Sequence, residues 1–332
     1  MGITGPAIYR HFRGKDALLE AVVEHAVDLI SGAVAQADGV AAIVDASVRV
    51  SFDHAPTMTA YLRERRRLGP ALPGERKLER LWAAAVRAEV AGLAPAAIRV
   101  RQRAVIGALS AASRPSAVER PRLDELLAAA CTAVTLSAPT PKPAAAARRH
   151  DWQPAPTKRD ELLSAALRLF RERGYDGVGV DEIGAAVGIS GPTVYHYVAG
   201  KADLLVDAYD RAGERVNVGV DDALRAATSA SDALARLAAS YASVAVESVD
   251  LIVVTAREGQ AIPAEHRERF RRRGRAVRDG WAGVVAELRP DLAEPEARLL
   301  CRTAFQLVNG GAEAGGHADE LAALAVELCC KK

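Results

Sequence analysis

Apolar residues recur at helical spacing along most of the chain. In residues 159–174, leucine, alanine and phenylalanine fall on one face of a helix, arginine and glutamate fall on the other, and Gly174 ends the pattern. Comparable patterns predict four helices further along, over 233–246, 251–260, 264–288 and 295–308. Aromatic residues are few, and alanine, leucine, arginine and glutamate dominate the long stretches. We therefore expect an all-α fold.

The chain repeats part of its own sequence. The stretch GITGPAIYRHFRGKDALL (2–19) matches GISGPTVYHYVAGKADLL (188–205) at one constant offset, which keeps the Gly, Pro, Tyr and Lys positions in register. A weaker likeness in the same order relates 62–82 to 256–281. The period is far longer than that of solenoid repeats, so the pattern predicts two copies of a domain pair.

A proline-rich segment separates the two copies. Five prolines and an alanine run lie between residues 138 and 159, a composition that blocks a continuous helix and is typical of a linker. The sequence thus predicts five parts: a partial head at 1–24, a helical regulatory domain at 25–138, a linker at 139–156, a complete head at 157–206, and a helical regulatory and dimerisation domain at 207–332.

The second copy carries the pattern of a helix-turn-helix. A short helix is expected over 181–187, and Gly188 breaks it. Ser190 suits the N-cap of a third helix and Pro192 its first turn, while a fourth helix is expected to start at Lys201. Two short helices around a glycine turn allow one to cross the DNA backbone while the next enters the major groove.

Residues 158–208 resemble the DNA-binding domain of the TetR family of bacterial repressors, through the stretch LLSAALRLFRERGYDGVGVDEIGAAVGISGPTVYHYVAGKADLL. The resemblance implies double-stranded operator DNA as the partner. It implies backbone-anchoring roles for Thr193 and Tyr195 and a phosphate contact for Lys201. It also implies a base-facing surface that comprises Ser190, Gly191, Pro192, His196 and Tyr197.

Physical chemistry agrees with these roles, because hydroxyl and ammonium groups bind phosphate and a few side chains read base edges. Gly191 has no side chain to read a base, so readout depends on His196 and Tyr197 or on DNA shape. Core packing is the alternative for Tyr195 and Tyr197. Basic residues before the first helix form either a minor-groove arm or a solvated linker; they are Arg148, Arg149, Lys158 and Arg159.

The first copy contains the third helix without the two helices that precede it in the second copy. Its candidate DNA-binding residues are Thr4, Tyr9, Arg10, His11 and Lys15. A short helix without neighbours is only marginally stable in water. We expect either a native product that is longer by about thirty residues, the size of the missing helices in a three-helix unit, or a head that has degenerated.

By the same resemblance, the larger domains are helical bundles that bind a small effector of unknown identity and pair through their last helices. Tyr241 and Trp281 are candidate ligand-binding residues, because large amphipathic side chains commonly line pockets, and core packing is the alternative. The arginine-rich runs 63–67 and 267–275 are either anion-binding or solvated helix faces. Two copies in one chain favour a monomeric pseudo-dimer, and a homodimer is the alternative.

Composition and motifs narrow the function. The net charge of +2 excludes wholesale electrostatic capture of nucleic acid, and no apolar run predicts a membrane contact, so we expect a cytoplasmic protein. HExxH, GxSxG and phosphate-loop motifs are lacking, and the four cysteines lack metal-site spacing, so no enzyme activity, cofactor or metal is expected. The sequence predicts a ligand-responsive transcriptional repressor. The alternative is a ligand-binding or dimerising module that binds no DNA and sequesters partners.

Overall fold

A computed structural model describes residues 12–65, 73–111, 116–138 and 156–331. These residues form fifteen α-helices and contain no β-strand, so the expectation of an all-α fold is confirmed. Six helices precede the proline-rich segment: α1 (Lys15–Val34), α2 (Gly39–Asp53), α3 (Ala55–Glu64), α4 (Pro73–Glu89), α5 (Pro95–Ser110) and α6 (Arg120–Leu136).

Nine helices follow the proline-rich segment. The first three lead into the long fourth helix, and the last five form the larger bundle. They are α7 (Lys158–Arg173), α8 (Val180–Ala186), α9 (Gly191–Val194), α10 (Lys201–Ala226), α11 (Ala230–Glu247), α12 (Val249–Arg257), α13 (Ala264–Leu288), α14 (Glu294–Glu313) and α15 (Ala318–Cys330). A short 3₁₀ turn, Gly259–Ala261, lies between α12 and α13.

Helices α5 and α14, one from each group, cross at close range. The crossing is built on two glycines in reciprocal positions. A Cβ atom added at Gly107 would lie 2.2 Å from the Gln306 carbonyl oxygen, and one added at Gly310 would lie 2.3 Å from the Arg103 carbonyl oxygen. Both distances are far below van der Waals contact, so only glycine allows the two backbones to approach this closely.

The terminal helices of the two groups also pack together. Helix α6 packs against α15, and one contiguous hydrophobic core includes buried residues from both groups. At the edge of this interface the Arg122 guanidinium donates to a Glu296 carboxylate oxygen at 2.6 Å, and this bond lowers the pKa of Glu296. The core is therefore shared between the two groups rather than divided at the proline-rich segment.

Arg101, near the middle of α5, is a buried cation. Its guanidinium donates to the carbonyl oxygens of Thr135, Ser137 and Ala138 at 3.1, 2.5 and 3.1 Å. These carbonyls lie at the C-terminal end of α6, where helix geometry leaves acceptors without intrahelical partners. The cation thus satisfies the end of α6 and complements its dipole.

In the part of the chain that the structure describes, no single helix has the length and apolar character needed to cross a membrane. The pair formed by α11 and α12 meets the criterion only when taken together, and it bends by 100° between the two helices.

Candidate nucleic-acid interface

Helix α7 supports the predicted head, and its first turn is closed by a reciprocal capping box. The Asp160 backbone N–H donates to Thr157 Oγ1 at 3.2 Å, while the Thr157 backbone N–H donates to an Asp160 carboxylate oxygen at 3.0 Å. The apolar face of α7 is buried through Leu162, Ala166 and Phe170. This face holds the two shorter helices, which are too short to be stable alone.

Asp160→Asn is expected to reduce the free energy of unfolding by about 1 kcal/mol, because it weakens the cap. Hydrogen bonds from Thr157 and Arg211 lower the pKa of Asp160 to about 2. The stabilisation is therefore present above the unfolded-state pKa of about 4 and is lost as the pH falls towards 2. Urea unfolding of the wild type and of Asp160→Asn, at several pH values between 2 and 7, measures the difference in unfolding free energy.

The matched control for this change is Asp221→Asn, which replaces an exposed carboxylate on α10 that forms no hydrogen bond or ion pair among the described residues. It should alter the stability by less than about 0.5 kcal/mol at every pH. A difference in stability between Asp160→Asn and wild type that stays unchanged from pH 7 down to pH 2 would contradict the assignment.

Helices α8 and α9 meet at a close contact that glycine makes possible. A Cβ atom on Gly184 would lie 2.7 Å from a Val194 methyl carbon and 2.9 Å from the Ile189 carbonyl oxygen. Val194 and Val198 are buried on the inner side of the third helix, next to Ile183 of α8. This packing fixes which side of the third helix faces outward.

The outward side of the third helix carries three consecutive hydrogen-bonding side chains. Tyr195 is 59% exposed, Tyr197 is 41% exposed, and His196 is exposed between them. Hydrogen bonds from the backbone N–H groups of 196, 197 and 198 continue the helical turn beyond α9. Core packing is therefore not the role of either tyrosine.

The residues at the start of the third helix lie on the same exposed side, with one exception. Ser190 and Pro192 are exposed, Thr193 is half-buried, and the Ser190 and Thr193 hydroxyl oxygens are 2.7 Å apart. Gly191 is buried, and a Cβ atom there would lie 1.6 Å from Asp181 Oδ1 of α8. The expected place of Gly191 on the base-facing surface is wrong, because the glycine provides the close contact between α8 and α9.

Lys201 lies at the start of α10, as expected, but its ammonium group serves the head itself. The Nζ atom donates to the carbonyl oxygens of Tyr175 and Val178, both at 3.0 Å, and lies 4.3 Å from the centre of the Tyr175 ring. These contacts hold the loop between α7 and α8 against α10. Two of the three ammonium protons are used, so one remains for a phosphate.

Arg159 braces the third helix, a role that the sequence patterns did not indicate. Its guanidinium donates to the Tyr197 carbonyl oxygen and an Asp207 carboxylate oxygen, both at 2.8 Å, and lies 3.2 Å from Asp203. Lys158 pairs with Glu161. Neither side chain extends as a free basic arm. The i,i+4 spacing of Asp203 and Asp207 was the available signal for a cation partner.

The candidate residues of the first copy lie mostly outside the described residues. Thr4, Tyr9, Arg10 and His11 are not among them, nor are Arg148 and Arg149 of the proposed arm. Lys15 begins α1, which starts after an extended glycine in the same way as α10 starts after Gly200. The DNA-binding roles in the first copy remain predictions.

The two candidate ligand-binding residues belong to a packed aromatic cluster. The ring centroids of Tyr241 and Phe305 are 4.5 Å apart, and those of Trp281 and Phe305 are 4.8 Å apart. The Tyr241 hydroxyl donates to Asn309 Oδ1 at 2.8 Å. Trp281 is 1% exposed. Its indole N–H is buried with no hydrogen-bond partner among the described residues. Both residues thus pack in the core, as the alternative held, with one polar group left unsatisfied.

This geometry defines a helix-turn-helix head, and the comparisons agree. Residues 162–208 match the family model for the tetR family of bacterial regulatory proteins. The chain is 36% identical over 87 residues to the transcriptional activator FasR of Mycolicibacterium smegmatis. The matched residues cover 26% of this chain and 40% of FasR. The chain is 35% identical over 71 residues to the transcriptional regulator LmrA of Bacillus subtilis. The matched residues cover 21% of this chain and 38% of LmrA.

The segment that contains α7 to the first turns of α10 is therefore similar to the N-terminal domain of tetR-family regulatory proteins. The match covers less than half the length of either curated relative. Both relatives are named as transcriptional regulators. A solved TetR-family regulator from Bordetella parapertussis covers 52% of this chain and 93% of its own, at 22% identity and a TM-score of 0.48.

Proposed function

We propose that the protein is a transcriptional repressor that binds operator DNA through the third helix of its head. The supporting observation is the row Tyr195, His196 and Tyr197, three exposed side chains that carry hydrogen-bonding groups on the outward side of a braced helix. A solvent-facing row of this kind, with its apolar residues turned inward, fits a major groove.

Each residue on this surface has a proposed task. Thr193 and Tyr195 anchor the DNA backbone through their hydroxyls, together with the remaining proton of Lys201. His196 and Tyr197 read base edges, and Ser190 and Pro192 lie against the DNA at the start of the helix. The protein's net charge is low, so affinity depends on these local contacts and decreases with salt.

The two groups of helices form a pseudo-dimer within one chain in this proposal. The reciprocal approach of Gly107 and Gly310 supports it, since each glycine accepts the backbone of the opposite helix. Two heads on one DNA face would then be spaced by one helical turn, about 34–36 Å. A homodimer through the same helices would require α5 and α14 to separate.

We place effector binding near Trp281 in this proposal. Its unpartnered indole N–H supports the idea, because a ligand acceptor would satisfy a buried donor. Release of DNA then requires that the effector bind one arrangement of the heads more tightly than the other. Electron density for a ligand beside Trp281, in protein purified from its own host, would support this, whereas a cluster closed on itself in every such crystal would contradict it.

Tyr195→Ala is expected to weaken binding to the DNA upstream of the protein's own gene by at least tenfold, because it removes one contact that anchors the DNA backbone. Fluorescence anisotropy of a labelled duplex measures the affinity. The thermal midpoint should remain unchanged, because the side chain is exposed and forms no hydrogen bond with the residues that the structure describes. Lys201→Ala is a poorer probe, since it also removes two bonds that hold the loop after α7.

The matched control is Val218→Ala, which truncates a side chain that is 61% exposed on α10, outside the third helix. It should bind DNA as the wild type does. Equal losses in both variants would contradict the assigned surface. No binding of the wild type to any upstream duplex would favour the alternative, a module that sequesters partners.

A further inference from the structure

A basic groove lies between α4 and α5, far along the chain from the head. Its volume is about 420 Å³, which falls in the range of small-molecule sites. Ala83 and Ile98 contribute an apolar floor, and Ile98 is 1% exposed. The remaining lining residues are mostly arginines: Arg76, Glu79, Arg80, Arg87, Pro95, Arg99 and Gln102.

Three of the groove's cations have no partner in the described part of the chain. Arg80, Arg87 and Arg99 are exposed, and none of them forms an ion pair or a hydrogen bond there. The one carboxylate in the groove, Glu79, is bound by Arg103 at 2.8 Å. Arg80 and Arg87 are two turns apart on α4, which places their backbones about 10 Å apart along the axis. The groove therefore presents an extended, uncompensated positive charge.

Gln102 adds a neutral polar group to the wall of the groove. The residue is only 5% exposed and lines the groove. No residue in the described part of the chain forms a hydrogen bond with its amide. The amide is therefore free to donate to, and to accept from, a polar group of a molecule in the groove.

We propose that this groove binds an organic phosphate ester, a small molecule with two or more negative charges beside an apolar ring. Guanidinium groups match phosphate in geometry and charge, so Arg80, Arg87 and Arg99 bind the charged end. The ring lies over Ile98 and Ala83, and the Gln102 amide bonds to a polar edge of the ring. This site is separate from the head and from the aromatic cluster around Trp281.

Duplex DNA is the competing occupant, because its phosphates also bind arginines. A DNA backbone would engage the exposed guanidiniums but would not cover the apolar floor or bond to the Gln102 amide on the wall of the groove. The floor and the amide therefore favour a small ligand over a polymer.

Isothermal titration of the full chain with ATP and with pyrophosphate tests the proposal. ATP is expected to bind saturably with one molecule per chain, and the double variant Arg80→Gln, Arg99→Gln should weaken it at least tenfold at constant ionic strength. Gln102→Leu should weaken ATP binding at least fivefold and leave pyrophosphate binding unchanged, because only the ring contacts the amide. All of these variants should unfold at the wild-type temperature, since the arginines are exposed and leucine preserves the volume of glutamine.

The charge-matched control is the double variant Arg168→Gln, Arg272→Gln, which removes two exposed, unpaired arginines outside the groove. It should bind ATP as the wild type does. An equal loss in this control, or no saturable binding of either probe, would overturn the proposal. It would also be overturned if a nonspecific duplex displaced ATP and bound Gln102→Leu and wild type equally, since DNA would then be the occupant.

Discussion

Gly310→Val is expected to lower the free energy of unfolding by about 3 kcal/mol or more, because it forces a side chain into the crossing of α5 and α14. A Cβ atom there would lie 2.3 Å from the carbonyl oxygen of Arg103, which belongs to a helix backbone and has no freedom to rotate away. The helices must separate, and the contacts on either side of the crossing weaken with them. Chemical denaturation followed by far-UV circular dichroism measures the change.

Gly280→Ala is the control, since it also adds a Cβ atom within a helix but meets nothing within 4 Å. It should raise the stability by about 0.5–1 kcal/mol, because alanine loses less backbone entropy than glycine in a helix. If Gly310→Val were as stable as Gly280→Ala, the close crossing would not exist in solution.

The same samples test the proposed pseudo-dimer. Light scattering should give the mass of one chain for the wild type, because the crossing is already satisfied within the chain. The mass of two chains would favour the homodimer. A shift of Gly310→Val towards larger species would follow from exposure of the apolar faces of α5 and α14.

Arg101→Met is expected to lower the free energy of unfolding by about 3 kcal/mol, because it leaves three carbonyl oxygens at the end of α6 without donors. Methionine fills much of the volume of the arginine stem, so the loss is mainly one of hydrogen bonds and charge. The Arg101 guanidinium is fully buried, and solvent does not replace it easily. Urea denaturation at neutral pH measures the effect.

The control for Arg101→Met is Arg103→Met, two residues away on α5. Arg103 forms an ion pair with Glu79 that is a third exposed on both sides, so its loss should cost less than about 1 kcal/mol. Equal costs for the two variants would contradict the structural role of Arg101.

The cost of Arg101→Met should also depend on pH through Glu320. Burial raises the pKa of Glu320, and the charge of Arg101 opposes that rise. Without Arg101 the folded-state pKa rises further, so the folded protein resists ionisation of this group more strongly. The loss of unfolding free energy in Arg101→Met is therefore smaller below pH 4, where Glu320 is protonated in the folded and unfolded states. This loss grows as the pH rises through the folded-state pKa of Glu320.

The helical periodicity and proline positions predicted much of the second half of the chain. The helix expected over 264–288 has those bounds, and the helix expected over 295–308 extends to Glu294–Glu313. The resemblance implied a DNA-facing surface at 195–197, and the side chains there are exposed. Helix α15 was not singled out, since its alanine and leucine pattern carries few breaks to mark its start.

The sequence alone determined which elements form and where the head lies, because helix periodicity, caps and glycine turns are local properties of the chain. Only the tertiary structure decided what individual groups do. Lys201 binds two carbonyls, Gly191 accommodates Asp181, and Arg101 caps α6 because residues distant in the sequence meet there. The basic groove likewise exists only where α4 and α5 lie side by side, since partners and their absence depend on packing and not on spacing.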